Sequence, residues 1–291
     1  MNNSIIDWIK TLKRTFKNWF LVGILLTIQS NSFKVELRED GKTYNWNKIQ
    51  VLNHLVAKRI QLSGTGLEIY SQENKVRFPY KNQMLTFYGY QQNGWVQNEM
   101  IHFEYYKLDF LNKVVLDVGA NSGATSIYFA INGAKKVIAI EPMPSTYEYL
   151  RKNVKVNGLE SFIQCINGAV WNVSNGEIEV GPDEGLGARI HFRDHSASKI
   201  KVPIVNLETL IKNLESNIVI KMDCEGCEYK SLINLEPDVL LNIDQIMLEY
   251  HNGWQNIIMF LEENSFAAQL LNNPRKSIGM IYAKRITETS P

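Results

Sequence analysis

The stretch VVLDVGANSGATSIYFA, residues 114–130, followed by VIAIEPMP at 137–144, decides the fold. An apolar run from Lys113 to Val118 ends in a Gly-rich turn, and a helix opens directly behind it. A second apolar run, Lys136 to Ile140, ends in an acid, Glu141. Strand, glycine turn, helix, strand and acid make half of a nucleotide-binding βαβ unit. Gly119 and Gly123 let backbone approach a ligand where a Cβ would clash. Glu141 stands 18 residues beyond Gly123, at the tip of the second strand. A carboxylate there can accept both hydroxyls of a ribose. A turn that merely needs glycine would not also supply that acid.

The turn also says which nucleotide. A dinucleotide fold wants G-x-G-x-x-G, with the pyrophosphate on the helix N-terminus. Here Asp117-Val118-Gly119-Ala120-Asn121-Ser122-Gly123 lacks the middle glycine and carries an acid before the first one. Asp117 would repel a pyrophosphate and suits an ammonium or sulfonium. That selects S-adenosylmethionine (SAM) over NAD.

Four blocks resemble the FkbM family of SAM-dependent methyltransferases: VVLDVGANSGATSIYFA, residues 137–159, IVIKMDCEGCEYKSLINL at 218–235 and IDQIMLEYHNG at 243–253. With their connections they span about 110–285, and the third block is the family's most specific signature. The resemblance implies an α/β chain with a class I methyltransferase (Rossmann-like) fold. It also implies methyl transfer, usually to an oxygen and often on a sugar or natural product. One departure stands out. Many class I enzymes place an acid after the third strand for the adenine amino group, whereas Ile166-Asn167-Gly168-Ala169 offers Ala169 there. Adenine would then be held by backbone groups or by Asn167.

Composition narrows the partners. A chain of 291 residues has room for one domain of ordinary size and an appendage. Its 31 basic and 30 acidic residues leave a formal charge of +1, which argues against nucleic acid as a partner. Cys165, Cys224 and Cys227 make no disulfide framework. The C-x-x-C pair Cys224 and Cys227 lacks the second pair a structural zinc would need, so both read as buried packing residues.

Along the chain, residues 4–28 read as a helix capped by Ser4. One face carries Ile5, Trp8, Ile9, Leu12, Phe16, Trp19 and Phe20, the other Lys10, Lys13, Arg14 and Lys17. Such a helix either lies in a membrane interface or packs on the domain or a second subunit. Its apolar run, 19–28, is too short to span a bilayer and no cleavage site follows. A SAM enzyme draws its cofactor from the cytoplasm, which is the expected location, with peripheral membrane contact through 4–28 as an option. The sequence leaves oligomeric state open.

A hairpin turning at Asp40-Gly41, a helix over 46–60 and short strands at GLEIY and KVRFPY complete an N-terminal appendage, 1–95. The methyltransferase domain, 96–286, alternates strands and helices and predicts a seven-stranded, mostly parallel sheet. Its last two strands form a hairpin around 272–275. EIEV (177–180) and KIKVPIV (199–205) can pair around a Gly-rich loop carrying Arg189, His191, Arg193 and His195, either a substrate lid or a surface excursion.

The acceptor should face the ends of the fourth and fifth strands, MDCEGCE and EYH. O-methyl transfer needs orientation, a dry site and a base for the hydroxyl proton. His251 is the expected base, because its ordinary pKa lies near neutrality. Asp223 would orient the acceptor, with Glu225 and Glu249 beside it. Lys221 would pair with Glu225 or Glu249, and Glu228 would favour a helix dipole. Asp223, Glu249 and His251 can alternatively hold Mg²⁺, though nothing in the spacing demands it. Competing functions are an RNA (tRNA) methyltransferase, disfavoured by three acids near the acceptor, and a non-catalytic SAM-binding protein.

Overall fold

The computed structural model of the chain describes residues 5–27, 32–92, 108–180, 200–214, 216–271 and 277–286. Ser4, the loop with Arg189, His191, Arg193 and His195, and the 272–275 link lie outside them. The backbone divides into two compact units, 1–101 and 102–291.

The first unit opens with α1 (Ile5–Thr15) and α2 (Trp19–Thr27), then β1 (Phe33–Glu36) and β2 (Thr43–Trp46). The helix expected over 4–28 is therefore two helices, and the β1–β2 hairpin interrupts it. Phe16 bridges to Leu37, and the Lys17 amide donates to the Glu36 carbonyl. The Asn18 side chain accepts from the Glu36 amide and donates to the Lys34 carbonyl. Tertiary hydrogen bonds thus override the helical periodicity. α3 (Lys48–Leu62) starts at Asn47, whose side chain and that of Gln50 cap each other's amides. β3 (Glu68–Tyr70), β4 (Lys75–Tyr80) and β5 (Gln83–Tyr88) form an antiparallel sheet. The sequence reading omitted β5, because the turn before it carries no glycine although Lys81 takes a positive φ.

The second unit runs β6 (Val114–Val118), α4 (Ala124–Ile131), β7 (Lys136–Glu141), α5 (Pro144–Val156) and β8 (Ile163–Asn167). β9 (Ala169–Trp171), β10 (Glu177–Val180) and β11 (Ile200–Asn206) follow, then α6 (Leu207–Lys212). It ends with β12 (Ile218–Met222), α7 (Glu228–Ser231), α8 (Pro237–Leu240), β13 (Ile243–Tyr250), α9 (Gln255–Glu263), β14 (Phe266–Leu270) and β15 (Gly279–Arg285).

Seven strands form one sheet in the order β14-β15-β13-β12-β6-β7-β8. It is parallel except at β15, which runs antiparallel to β13 and β14. This is the class I methyltransferase arrangement, with the final hairpin supplying the reversed strand. EIEV and the 200–206 strand pair antiparallel, and β9 joins them in a separate small sheet.

β6 and β12 are buried at every position, as parallel strands covered on both faces must be. Strand order reverses at β6: β7 and β8 lie to one side, β12 and β13 to the other. The crevice beyond the carboxyl ends of β6 and β12 is therefore the switch point where such sheets bind ligands. Among the described residues no helix is long and apolar enough to cross a membrane.

Candidate functional site

The turn after β6 is clamped from two sides. Gly119 has φ +76°, and a Cβ there would sit 1.8 Å from the Asp223 carbonyl oxygen. The first glycine is thus required by the neighbouring strand end as well as by any ligand. On the other side Glu141, almost fully buried, accepts from the Asn121 amide at 3.0 Å and the Met143 amide at 2.9 Å. Gly123, at φ +93°, then starts α4. Asn167 donates to the Glu141 and Pro142 carbonyls at 2.9 and 3.0 Å, fixing the chain behind the acid. Ala169 is buried and opens β9. Gly119, Asn121, Gly123 and Glu141 therefore share one cradle with Asn167 beside it. An acid at the tip of β7, oriented by two amides next to a glycine turn, fits the ribose of SAM.

Asp117 requires a correction. It has no exposed surface, and its Oδ2 accepts hydroxyl hydrogen bonds from Thr125 and Ser126, both at 2.6 Å. Its Oδ1 lies 3.1 Å from Lys221 Nζ. The charge expected to meet a sulfonium is neutralised inside the sheet. Lys221 likewise pairs with Asp117, not with Glu225 or Glu249, and donates to the Gly119 carbonyl at 3.0 Å. The two residues are register partners on adjacent strands, so their charges meet by construction.

At the acceptor end, Asp223, Glu225, Glu249 and His251 do converge. His251 Nε2 lies 3.4 Å from Glu225 Oε2 and 3.9 Å from Asp223 Oδ1. Its Nδ1 lies 3.1 Å from Glu228 Oε1. Glu228 is fully buried and also accepts from the Gly226 amide at 3.0 Å. It is a site residue that sequence reasoning assigned to the helix dipole; its spacing in E-G-C-E was the available signal. Glu225 adopts φ +56°, a conformation glycine favours, and there its carboxylate meets the imidazole.

These carboxylates set the protonation states. Burial alone would push the His251 pKa down, but the Glu228 hydrogen bond and the charges of Glu228, Glu225 and Asp223 raise it to about 9. The surrounding carboxylates thus favour the protonated imidazole, the form that does not accept a proton. Burial raises Glu249 to about 7, with the charges of Asp223 and Glu225 adding to it and His251 and Lys221 opposing. A carboxyl titrating near neutrality is matched to the task. Asp223, Glu225 and His251 also bring ligand-type atoms within 4.8 Å of one another.

Cys224 and Cys227 are joined by a disulfide, correcting their reading as separate packing residues. The bridge spans the turn that carries Glu225 and Gly226.

Residues 117–268, just over half of the chain, match the family model described as Methyltransferase FkbM domain. A histone-arginine methyltransferase CARMER from Drosophila mojavensis is 33% identical over 119 residues, which are 38% of this chain and 22% of that protein. The chain thus spans about a fifth of the length of the curated relatives it matches. Among solved structures, the precorrin-6y C5,15-methyltransferase of Geobacter metallireducens aligns with a TM-score of 0.41 at 13% identity, covering 65% of this chain and 89% of that one. The ribosomal protein L11 methylase of Lactobacillus delbrueckii subsp. bulgaricus aligns with a TM-score of 0.38 at 18% identity, over 69% and 81%.

Proposed function

The chain belongs to the FkbM methyltransferase family, and from that footing we propose that it is a SAM-dependent O-methyltransferase whose acceptor is a hydroxyl of a sugar, glycan or glycolipid intermediate. The cofactor, when bound, supplies an electrophilic methyl on a sulfonium. Glu141 holds its ribose, and the turn 119–123 admits it to the sheet crevice. Glu249 removes the hydroxyl proton as the oxygen attacks, and Asp223 orients the acceptor through its hydroxyls. His251 is a positioning residue: as an imidazolium on buried Glu228 it holds Asp223 and Glu225 in place and keeps Glu249 from rising further.

The observation that carries this reading is the cluster at the ends of β12 and β13, where His251 Nε2 lies 3.4 Å from Glu225 and 3.9 Å from Asp223, and where burial and these carboxylates raise the Glu249 pKa to about 7. Acidic strand ends favour polyhydroxyl acceptors over phosphate backbones, which they repel. The reading predicts a bell-shaped kcat/KM profile, with a lower limb near the Glu249 value of about 7 and an upper limb near the His251 value of about 9. Glu249→Gln should lower kcat by roughly 10²–10⁴ while leaving SAM affinity intact. His251→Gln should erase the upper limb and move the lower one upward, since the opposing cation is gone. Radiolabelled SAM offered with sugar, glycolipid and tRNA panels identifies the acceptor class. Label entering tRNA and no hydroxyl compound, or a Glu249→Gln variant with wild-type turnover, would overturn the assignment.

A further inference from the structure

The methyl-transfer site leaves the first two helices without a role. α1 buries Thr11 and Thr15, and α2 buries Val22, against a separate core of Phe16, Phe33, Val35, Leu37, Trp46, Val51 and Leu55. Trp8, Leu12, Trp19, Leu25 and Leu26 pack partly buried on the same core, whereas Ile5, Ile6 and Ile9 on α1, and Phe20, Leu21 and Ile24 on α2, are 40–78% exposed. α2, WFLVGILLT, holds no charged residue. Exposed apolar residues scattered singly need no explanation, but six on two consecutive short helices do.

The charge beside them selects the partner. Lys10, Lys13, Arg14 and Lys17 are exposed on α1 and the turn after it, with Asp7 4.0 Å from Lys10 and Glu36 2.8 Å from Lys17. Lys13 lies over the Trp19 ring at 4.7 Å, putting cation and aromatic together where α2 begins. Apolar residues with aromatics and basic residues at their margin suit the boundary between acyl chains and anionic headgroups. α2 has nine residues, about 14 Å of helix, and reaches less than half of a bilayer core. It can enter one leaflet and cannot cross. The face is also held on a fixed platform: Arg38 Nε donates to the Lys13 and Phe16 carbonyls at 2.7 and 3.1 Å.

We propose that the exposed face of α1 and α2 docks the protein on an anionic lipid surface, with Phe20, Leu21 and Ile24 inserted and Lys10, Lys13 and Arg14 on the headgroups. The test is co-sedimentation of the full-length chain with vesicles of phosphatidylcholine alone and of phosphatidylcholine with phosphatidylglycerol, at low and high salt. Phe20→Ser/Ile24→Ser should abolish binding, and Lys10→Gln/Arg14→Gln should weaken it about fivefold per residue and flatten its salt dependence. Both pairs are exposed, so melting curves should match wild type and confirm folded variants. Three results would overturn the proposal: wild-type protein left in the supernatant with both lipids, equal binding to both, or variants that sediment like wild type. If the wild type ignores vesicles and self-associates, and Phe20→Ser/Ile24→Ser makes it monomeric, the face belongs to a second copy.

Discussion

Lys221 puts a charge one residue from the end of an otherwise apolar, completely buried strand, and Asp117 makes that tolerable. Removing one member of a buried pair strands the other, at a cost of about 3–5 kcal/mol. Lys221→Met should therefore lower unfolding stability by that amount, and it also frees the Gly119 carbonyl at the cofactor turn. Asp117→Asn in the Lys221→Met background should recover part of the loss, because no lone charge then remains. Urea denaturation of the three variants measures it; a Lys221→Met cost below about 1 kcal/mol would show that the pair does not hold the sheet. The pair also marks what the sequence could and could not say. VVLDV and IVIKM each display one charge in an apolar run, yet only the register between β12 and β6 brings the two together. Glu141 was legible because its position follows from strand length alone. The roles of His251 and Glu249 were not, since their protonation depends on Glu228, Glu225 and Asp223 arriving from a turn with a left-handed residue.

At the scale of elements, strands and helices of the second unit follow the hydrophobic pattern closely, because the central parallel strands β6, β7 and β12 are largely apolar runs with a turn at either end. The first unit was less legible, since backbone bonds from β1 decide where α1 stops. α3 carries a further consequence. His54 on this helix is fully buried between the Trp46, Phe16 and Tyr90 rings, with Nδ1 2.9 Å from the Tyr90 hydroxyl. Burial lowers its pKa to about 4, against smaller upward pulls from Glu39 and Asp40 and a downward one from Lys58. The folded state thus keeps the ring neutral, while the unfolded chain binds a proton below about 6.5. Stability from this group is complete above that value and is lost as pH falls toward 4, by roughly 3 kcal/mol in all. Hydrogen exchange of α3 amides at pH 7 and 4.5 should show the weakening, and His54→Leu should remove most of the difference. An unchanged pH dependence in that variant would assign the acid sensitivity elsewhere.

At the scale of the whole molecule, near-neutral net charge gives no strong overall attraction for one sign of ligand, so cofactor selection rests on the local charge and shape of the crevice. That makes cofactor binding readable as stability, because a ligand bound only by the folded state stabilises it by mass action. SAM at about one hundred times its Kd should add about 2.7 kcal/mol and raise the melting temperature of the unit that holds the site. NADH at the same concentration should add nothing, since the turn lacks the middle glycine of a pyrophosphate cradle. Glu141→Gln removes the negative charge that accepts the ribose hydroxyls and the Asn121 and Met143 amides. If that weakens binding by about 2.7 kcal/mol, within the range for charge-assisted hydrogen bonds, the same SAM concentration becomes one Kd. The stabilisation then shrinks to about 0.4 kcal/mol. Differential scanning calorimetry of both proteins with and without SAM reads this directly. A variant that gains as much from SAM as the wild type would remove Glu141 from the ribose and move the cofactor's anchor elsewhere along the β6–β7 crevice.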